Sequence, residues 1–214
     1  MNVKDEGGEG RVEGGIRRLS RRAEQSEATR GDLMRVARRL FAEHGFGGVA
    51  AEEIVQEAGV TRGALYHHFR DKRDLFRAVY EEIERETAER IAAEALTEED
   101  PWQQQRAAVR AFLDTCLERD VQQIALVDAP SVLGQAAWRE IEAQYGLALV
   151  RAGLGTVMEA GLIERQPLEP LAHLIFGALI EAGLLIARAD DREEVRRQVA
   201  ASVDRLLDGL KIKP

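Results

Sequence analysis

Residues 59–76 read GVTRGALYHHFRDKRDLF, and the fold turns on whether this stretch is a chemical centre or a surface. Two adjacent His beside an Arg and a Tyr first suggest metal or proton chemistry. Helix geometry argues against it. Thr61 is placed to cap a short helix running through Phe69. At ~100° per residue, Leu65, His68 and Phe69 share one side, while Gly63, Ala64, Tyr66 and His67 form the outward arc. The two His thus face different ways, whereas a metal pair on one helix face needs i, i+4 spacing. His44 and His173 complete the four His of the chain. Neither has a carboxylate at ligand spacing, so no metal is expected.

The outward arc suits a DNA groove. Gly63 and Ala64 let the helix backbone approach closely, and Arg62 in the first turn is placed for a guanine edge or a phosphate. Tyr66 and His67 can donate to phosphate oxygens. Lys72 stands at the start of the next helix, where free N–H groups and the helix dipole also favour an anion. The competing account is an ordinary solvated helix face.

Working outward, a helix is predicted from Thr29, which with Asp32 resembles a capping box, through Leu33, Val36, Ala37, Leu40 and Phe41 to a stop at His44-Gly45. A short helix over 51–58 places Ile54 and Val55 inward and stops at Gly59. Asp71 caps a fourth helix, with Asp74 at the capping-box position and Leu75, Phe76, Val79, Tyr80 and Ile83 along one side to about Leu96. Three short helices with a Gly-containing turn have the layout of a helix-turn-helix unit. Further helices are predicted at 101–119, 121–128, 138–160, 168–188 and 191–210, with breaks at DAPSVLG, 161–170 and 189–191. No segment alternates with period two, so the chain is expected to be all-α.

Composition narrows the function. Of 214 residues, 32% are charged and 45% hydrophobic, which favours long, solvent-laced helices. The net charge of −8 hides an asymmetry, +2 over residues 1–80 and −10 over the rest. Overall acidity therefore does not exclude nucleic acid, because affinity depends on where the cations lie. Residues 1–26 combine Gly and charge and are expected to be a disordered basic arm; Arg17, Arg18, Arg21 and Arg22 either follow a DNA minor groove or are simply solvated. A single Cys, Cys116, fits a reducing cytoplasm and reads as a small buried hydrophobe. No apolar run approaching the ~20 residues of a membrane span is evident, so a cytoplasmic protein without a membrane partner is expected. No acid/base cluster, nucleophile motif or phosphate loop marks a catalytic residue or cofactor site, and the chain is not expected to be an enzyme.

LFAEHGF, IVQEAGV, TRGALYHHF and DKRDLF, in that order and spacing over Thr29 to Phe76, resemble the N-terminal DNA-binding domain of the tetracycline-repressor (TetR) family of bacterial transcription regulators. The resemblance implies an all-α chain with a three-helix helix-turn-helix domain (27–75) and a C-terminal helical bundle for ligand binding and dimerisation (76–214). It implies a homodimer that binds a palindromic operator on double-stranded DNA and answers to a small-molecule effector. By it, Thr61, Arg62, Gly63, Ala64, Tyr66, His67 and Lys72 take the DNA-contacting places. One departure stands out: the second helix opens VAAEE, where the family carries a Thr or Ser that caps the helix and touches phosphate. Glu52 and Glu53 suit the helix dipole but oppose phosphate.

In the second part, Phe112, Cys116, Leu126, Trp138, Tyr145, Met158, His173 and Phe176 are candidate pocket liners, with core packing as the plain alternative. The last two helices carry broad apolar faces with Gly177, Ala178, Ala182 and Gly183, which by resemblance form the dimer interface. A ligand-responsive repressor is the expected function. An activator, a regulator without an inducer, a protein-interaction module and a small helical enzyme are the alternatives.

Overall fold

The computed structural model describes residues 9–212, with side chains from Ala23 onward. Among these, all regular structure is helical apart from an isolated antiparallel bridge between Ile163 and Lys211. Helix α1 spans Glu9–His44, α2 Ala51–Glu57, α3 Arg62–His68 and α4 Lys72–Ala95. Then come α5 (Pro101–Thr115), a π-helix (Val121–Asp128), α6 (Ala129–Leu133), α7 (Gln135–Gln144), α8 (Gly146–Glu159), α9 (Leu168–Ala187) and α10 (Arg192–Asp208).

Four local expectations are corrected. Helix α1 does not begin at Thr29: that residue lies inside it, and its hydroxyl donates back to the Gln25 carbonyl at 2.9 Å, so no capping box forms. Residues 9–26, expected to be disordered, continue this helix, because Arg and Glu propagate a helix readily once a packed turn has nucleated it. The side chains of Arg17, Arg18, Arg21 and Arg22 lie outside the described residues. Second, DAPSVLG is not a break. The π-helix runs directly into α6, Pro130 sits in the first turn where its missing N–H costs nothing, and only Gly134, at φ 77°, interrupts the chain.

Third, the helix expected over 138–160 is divided at Tyr145 into α7 and α8. Fourth, α9 is 20 residues long and apolar enough, by length and composition, to cross a membrane. Here Leu171, Ile175, Phe176, Leu179 and Ile186 bury its inner side in a core shared with α5, α8 and α10.

Two hydrophobic clusters organise the chain. The first joins Leu33, Val36, Leu40 and Phe41 of α1, Ile54 of α2, Leu65 of α3 and Leu75, Phe76, Val79 and Tyr80 of α4. Phe76 packs edge-on against both Phe41 and Phe46, with ring centroids at 5.3 and 5.2 Å. Val121, Ile124 and Ala125 of the π-helix, Leu133 of α6 and Ile141 of α7 belong to this same cluster, so the three-helix unit shares its core with the segment that follows. The second cluster is built from α5, α8, α9 and α10.

Candidate nucleic-acid interface and interior cavity

Helix α3 forms because Thr61 caps it, its hydroxyl accepting from Ala64 N, and because Gly59, at φ 65°, turns the chain out of α2. Leu65 and Phe69 anchor it in the first cluster. Thr61, Arg62, Gly63 and His67 are exposed, Tyr66 is 44% exposed and Ala64 is half-buried. His68 is half-buried, with its ring 5.1 Å from that of His67, and its pKa is lowered by burial and by the charges of His67 and Arg30. Of the four residues on the outward arc, Gly63, Tyr66 and His67 are thus exposed and Ala64 is half-buried.

A Cβ added at Gly63 would meet only the Thr61 hydroxyl, at 3.8 Å. Nothing inside the chain requires glycine there. The Arg62 guanidinium lies 5.5 Å from the Tyr66 ring centroid and pairs with Glu52 of α2 at 3.0 Å. The VAAEE departure thus has a direct consequence. Ala50 gives α2 no side-chain cap, and the Glu52 carboxylate holds the Arg62 guanidinium.

Lys72 opens α4, as expected, and its side chain is engaged within the chain. Its Nζ donates to the Phe46 and Val49 carbonyls at 2.8 and 2.7 Å and lies 4.1 Å from the Phe46 ring centroid. Burial lowers its pKa. Two of its three donors hold the α1–α2 loop, leaving one for an anion.

An interior cavity of about 280 Å³ lies among α4, α5, the π-helix, α8 and α9. Of the sequence candidates, Phe112, Leu126 and Phe176 line it. The other five fall outside its lining. Cys116 is buried in the second cluster, and burial pushes its thiol up to about 12. Trp138 packs on the first cluster. Tyr145 joins that cluster at the α7–α8 break, and Met158 packs on the second. His173 is exposed on α9, beside Leu174, which is 73% exposed.

The polar groups of the cavity are ones the sequence did not single out. Glu84, Glu142 and Gln105 all line it. The Tyr80 hydroxyl donates to Glu142 Oε1. Burial pushes the Glu142 carboxyl up to about 7, against the pull of that bond. Burial, then the neighbouring Glu142, pushes Glu84 well above the carboxylate range, and burial with both acids raises Tyr80. Residues 80, 84, 87 and 91 recur at helical spacing, and Tyr80, Thr87 and Ile91 are buried. A carboxylate in that stripe was the available signal for Glu84. Glu142 is placed by the Tyr145 break: a Cβ at Gly146 would meet Glu142 Oε2 and Phe176 Cε2 at 2.9 Å each, so glycine makes room for both.

Among the described residues no group of three or more His, Cys, Asp or Glu is arranged to hold a metal. Residues 33–79 match the family model described as bacterial regulatory proteins, tetR family, and residues 102–210 a tetracyclin repressor-like C-terminal domain. The chain is 35% identical over 115 residues to the transcriptional repressor AcnR of Corynebacterium glutamicum, covering 50% of this chain and 61% of that protein. It resembles a solved TetR-family regulator from Pectobacterium atrosepticum at TM-score 0.78 and 35% identity, over 89% of this chain and 98% of that one. The regulator RolR, solved with resorcinol, shares the fold at TM-score 0.66 and 24% identity, over 86% of this chain and 89% of that one. With one match on the helix-turn-helix unit, another on the bundle and a solved regulator alike over nearly its whole length, this chain belongs to the TetR family.

Proposed function

We propose that this chain is a cytoplasmic transcriptional repressor that binds a palindromic operator as a homodimer and releases it when a small molecule occupies the interior cavity. The observation that carries the DNA assignment is the open face of α3, where Arg62, Gly63, Tyr66 and His67 stand exposed while Leu65 and Phe69 hold the helix in place. Gly63 has no internal reason to lack a side chain, which supports close approach of the helix backbone to DNA. Arg62 and Tyr66 supply the charged and hydroxyl donors.

Dimerisation through α9 and α10 is supported by the outer face of α9, where Leu174 is 73% and Leu185 51% exposed. A two-fold pairing would bury these and bring two α3 helices to successive major grooves. RolR, of the same fold, was solved with resorcinol, which supports a small organic effector here. The link between cavity and reader is the π-helix. It lines the cavity with Val121, Ala125 and Leu126 and ends at Asp128, whose carboxylate accepts from Phe46 N at 2.7 Å. Phe46 lies in the loop that Lys72 clamps.

Selection of bound duplexes from a random DNA library tests the proposal. An inverted repeat should be enriched, and Tyr66→Phe with His67→Ala should weaken binding to it and flatten its salt dependence. No symmetric motif, or a double variant that binds as the unaltered chain does, would overturn it.

A further inference from the structure

The chemistry of the cavity lining is lopsided. Glu84 and Glu142 both face it, and none of its described lining residues is Lys, Arg or His. Glu142 is 5% exposed and accepts one hydrogen bond, from Tyr80. The charge beside Glu84 is Glu142 itself. A separate feature borders the same space: Gln105 of α5 lines the cavity, is 5% exposed, and its carboxamide oxygen lies beside Gly153, another lining residue. A Cβ at Gly153 would overlap Gln105 Oε1; the bare glycine lets the amide lie against the wall. Two neighbouring carboxyls out of water resist ionising together.

One ligand chemistry suits these groups. A positive charge between the carboxyls favours their ionised form, and its N–H groups give donors to the carboxylates and to Gln105 Oε1. An anion would meet two acids and no cation. A neutral hydroxyl satisfies hydrogen bonds but does nothing to favour ionisation of either carboxyl. The remaining walls, including Ile91, Val109, Phe112, Leu126 and Leu179, are apolar apart from Thr87, Gln104 and Thr156. The volume of about 280 Å³ holds about nine water-sized groups at ~30 Å³ each.

We infer that the cavity binds a protonated aliphatic amine, its ammonium seated between Glu84 and Glu142 beside Gln105 and its chain against the α5 and α9 walls. The regulatory consequence of that binding, though not the binding itself, rests on the function proposed above.

Octylamine, octanol and octanoate, matched in chain and differing in headgroup, test this by titration calorimetry on the full chain at pH 7.5. Octylamine should bind at least tenfold tighter than octanol, with octanoate weakest. In the variant carrying Glu84→Gln and Glu142→Gln, octylamine should lose at least tenfold while octanol stays within about threefold. Octanoate binding as tightly as octylamine, or a folded double variant that keeps its octylamine affinity, would overturn the inference. The headgroup series on the unaltered chain stands even if that variant does not fold.

Release of the selected duplex is followed separately in a gel-shift titration. Octylamine that binds without releasing DNA refutes the effector role and leaves the amine site standing. Release by octanol or octanoate, with octylamine neither binding nor releasing, overturns the amine site and leaves the effector role intact.

Discussion

Glu142→Gln should make the chain more stable at pH 8 and remove one part of its loss of stability between pH 5 and pH 8. Burial pushes the folded-state carboxyl from the ordinary 4.5 up to about 7. Between those values the folded chain keeps a proton that the unfolded chain has released, so stability falls as pH rises through the window and levels off above the folded pKa. At 1.36 kcal/mol per pH unit this amounts to ~3 kcal/mol. Glu84, raised in the same direction by its own burial, adds a decline over the same window and beyond it that both chains share. Glutamine keeps the shape and the acceptor for the Tyr80 hydroxyl but does not ionise, and Glu84 loses a repelling neighbour.

Urea unfolding at pH 5, 6, 7 and 8, with a common m-value, is the assay. Unaltered and variant chains should agree within ~1 kcal/mol at pH 5 and diverge by about 3 at pH 8. Asp74, held low by its hydrogen bonds from Arg70, and Glu194, held low by Arg197, act below this window. His68, lowered by burial, adds an opposite slope near pH 6 that both chains share. Parallel pH curves for the two chains would refute the reasoning.

Four other perturbations probe separate parts. Glu52→Ala frees the Arg62 guanidinium from a carboxylate at 3.0 Å; duplex affinity should rise about three- to tenfold and the salt slope steepen by ~1, and gel shifts at two salt concentrations that show neither exclude this competition. Lys72→Met deletes two hydrogen bonds to loop carbonyls and should cost ~2 kcal/mol, read as a melting temperature lower by roughly 5 °C; an unchanged melting temperature argues against the clamp. Gly153→Ala displaces only the flexible end of Gln105, so stability should move by less than ~1 kcal/mol while octylamine affinity in calorimetry falls at least fivefold. Leu174→Glu with Leu185→Glu places charge on the open face of α9; light scattering should give a monomer with unchanged helix content, and an unaltered chain that is already monomeric rules out the α9 interface.

The short helices were legible because their signals are local. Thr61 and Asp71 cap where a side-chain oxygen stands three residues before a free N–H, and Leu65 and Phe69 lie at the spacing of one buried side. Such features need no knowledge of the rest of the chain. The π-helix is different, because residues 121–128 carry an ordinary apolar helical pattern, and the wider winding emerges only where they join both clusters. The cavity was the least legible part. Aromatic residues were the natural candidates, but Trp138 and Tyr145 are drawn into the first cluster. The acids of the cavity stand in charged helices, where a Glu is expected to face water. Glu142 becomes a cavity group only because the chain turns at Tyr145 and Gly146 leaves space beside Phe176.

The placement of that acid bears on how a ligand signal reaches α3. Tyr80, which donates to Glu142, lies on α4, two turns beyond Lys72. Along the same helix, Arg73 donates to the Leu133 carbonyl at 2.7 Å and Lys72 holds the Phe46 loop. Arg38 of α1 pairs with Glu86 of α4 and with Asp120 at the start of the π-helix, both at 2.7 Å. Helix α4 is therefore fastened to α6, α7 and α1 at separate points, and its position relative to the π-helix sets the loop before α2. In the proposed mechanism an ammonium between Glu84 and Glu142 changes the partner that the Tyr80 hydroxyl meets. Tyr80→Phe separates the two roles: it removes the hydroxyl while leaving both acids and Gln105 to bind the amine. Octylamine affinity should then stay within about threefold, while the change in operator affinity that it produces should shrink at least fivefold in gel-shift titrations. Loss of amine binding together with loss of the response would assign Tyr80 to the site itself and refute its part in transmission.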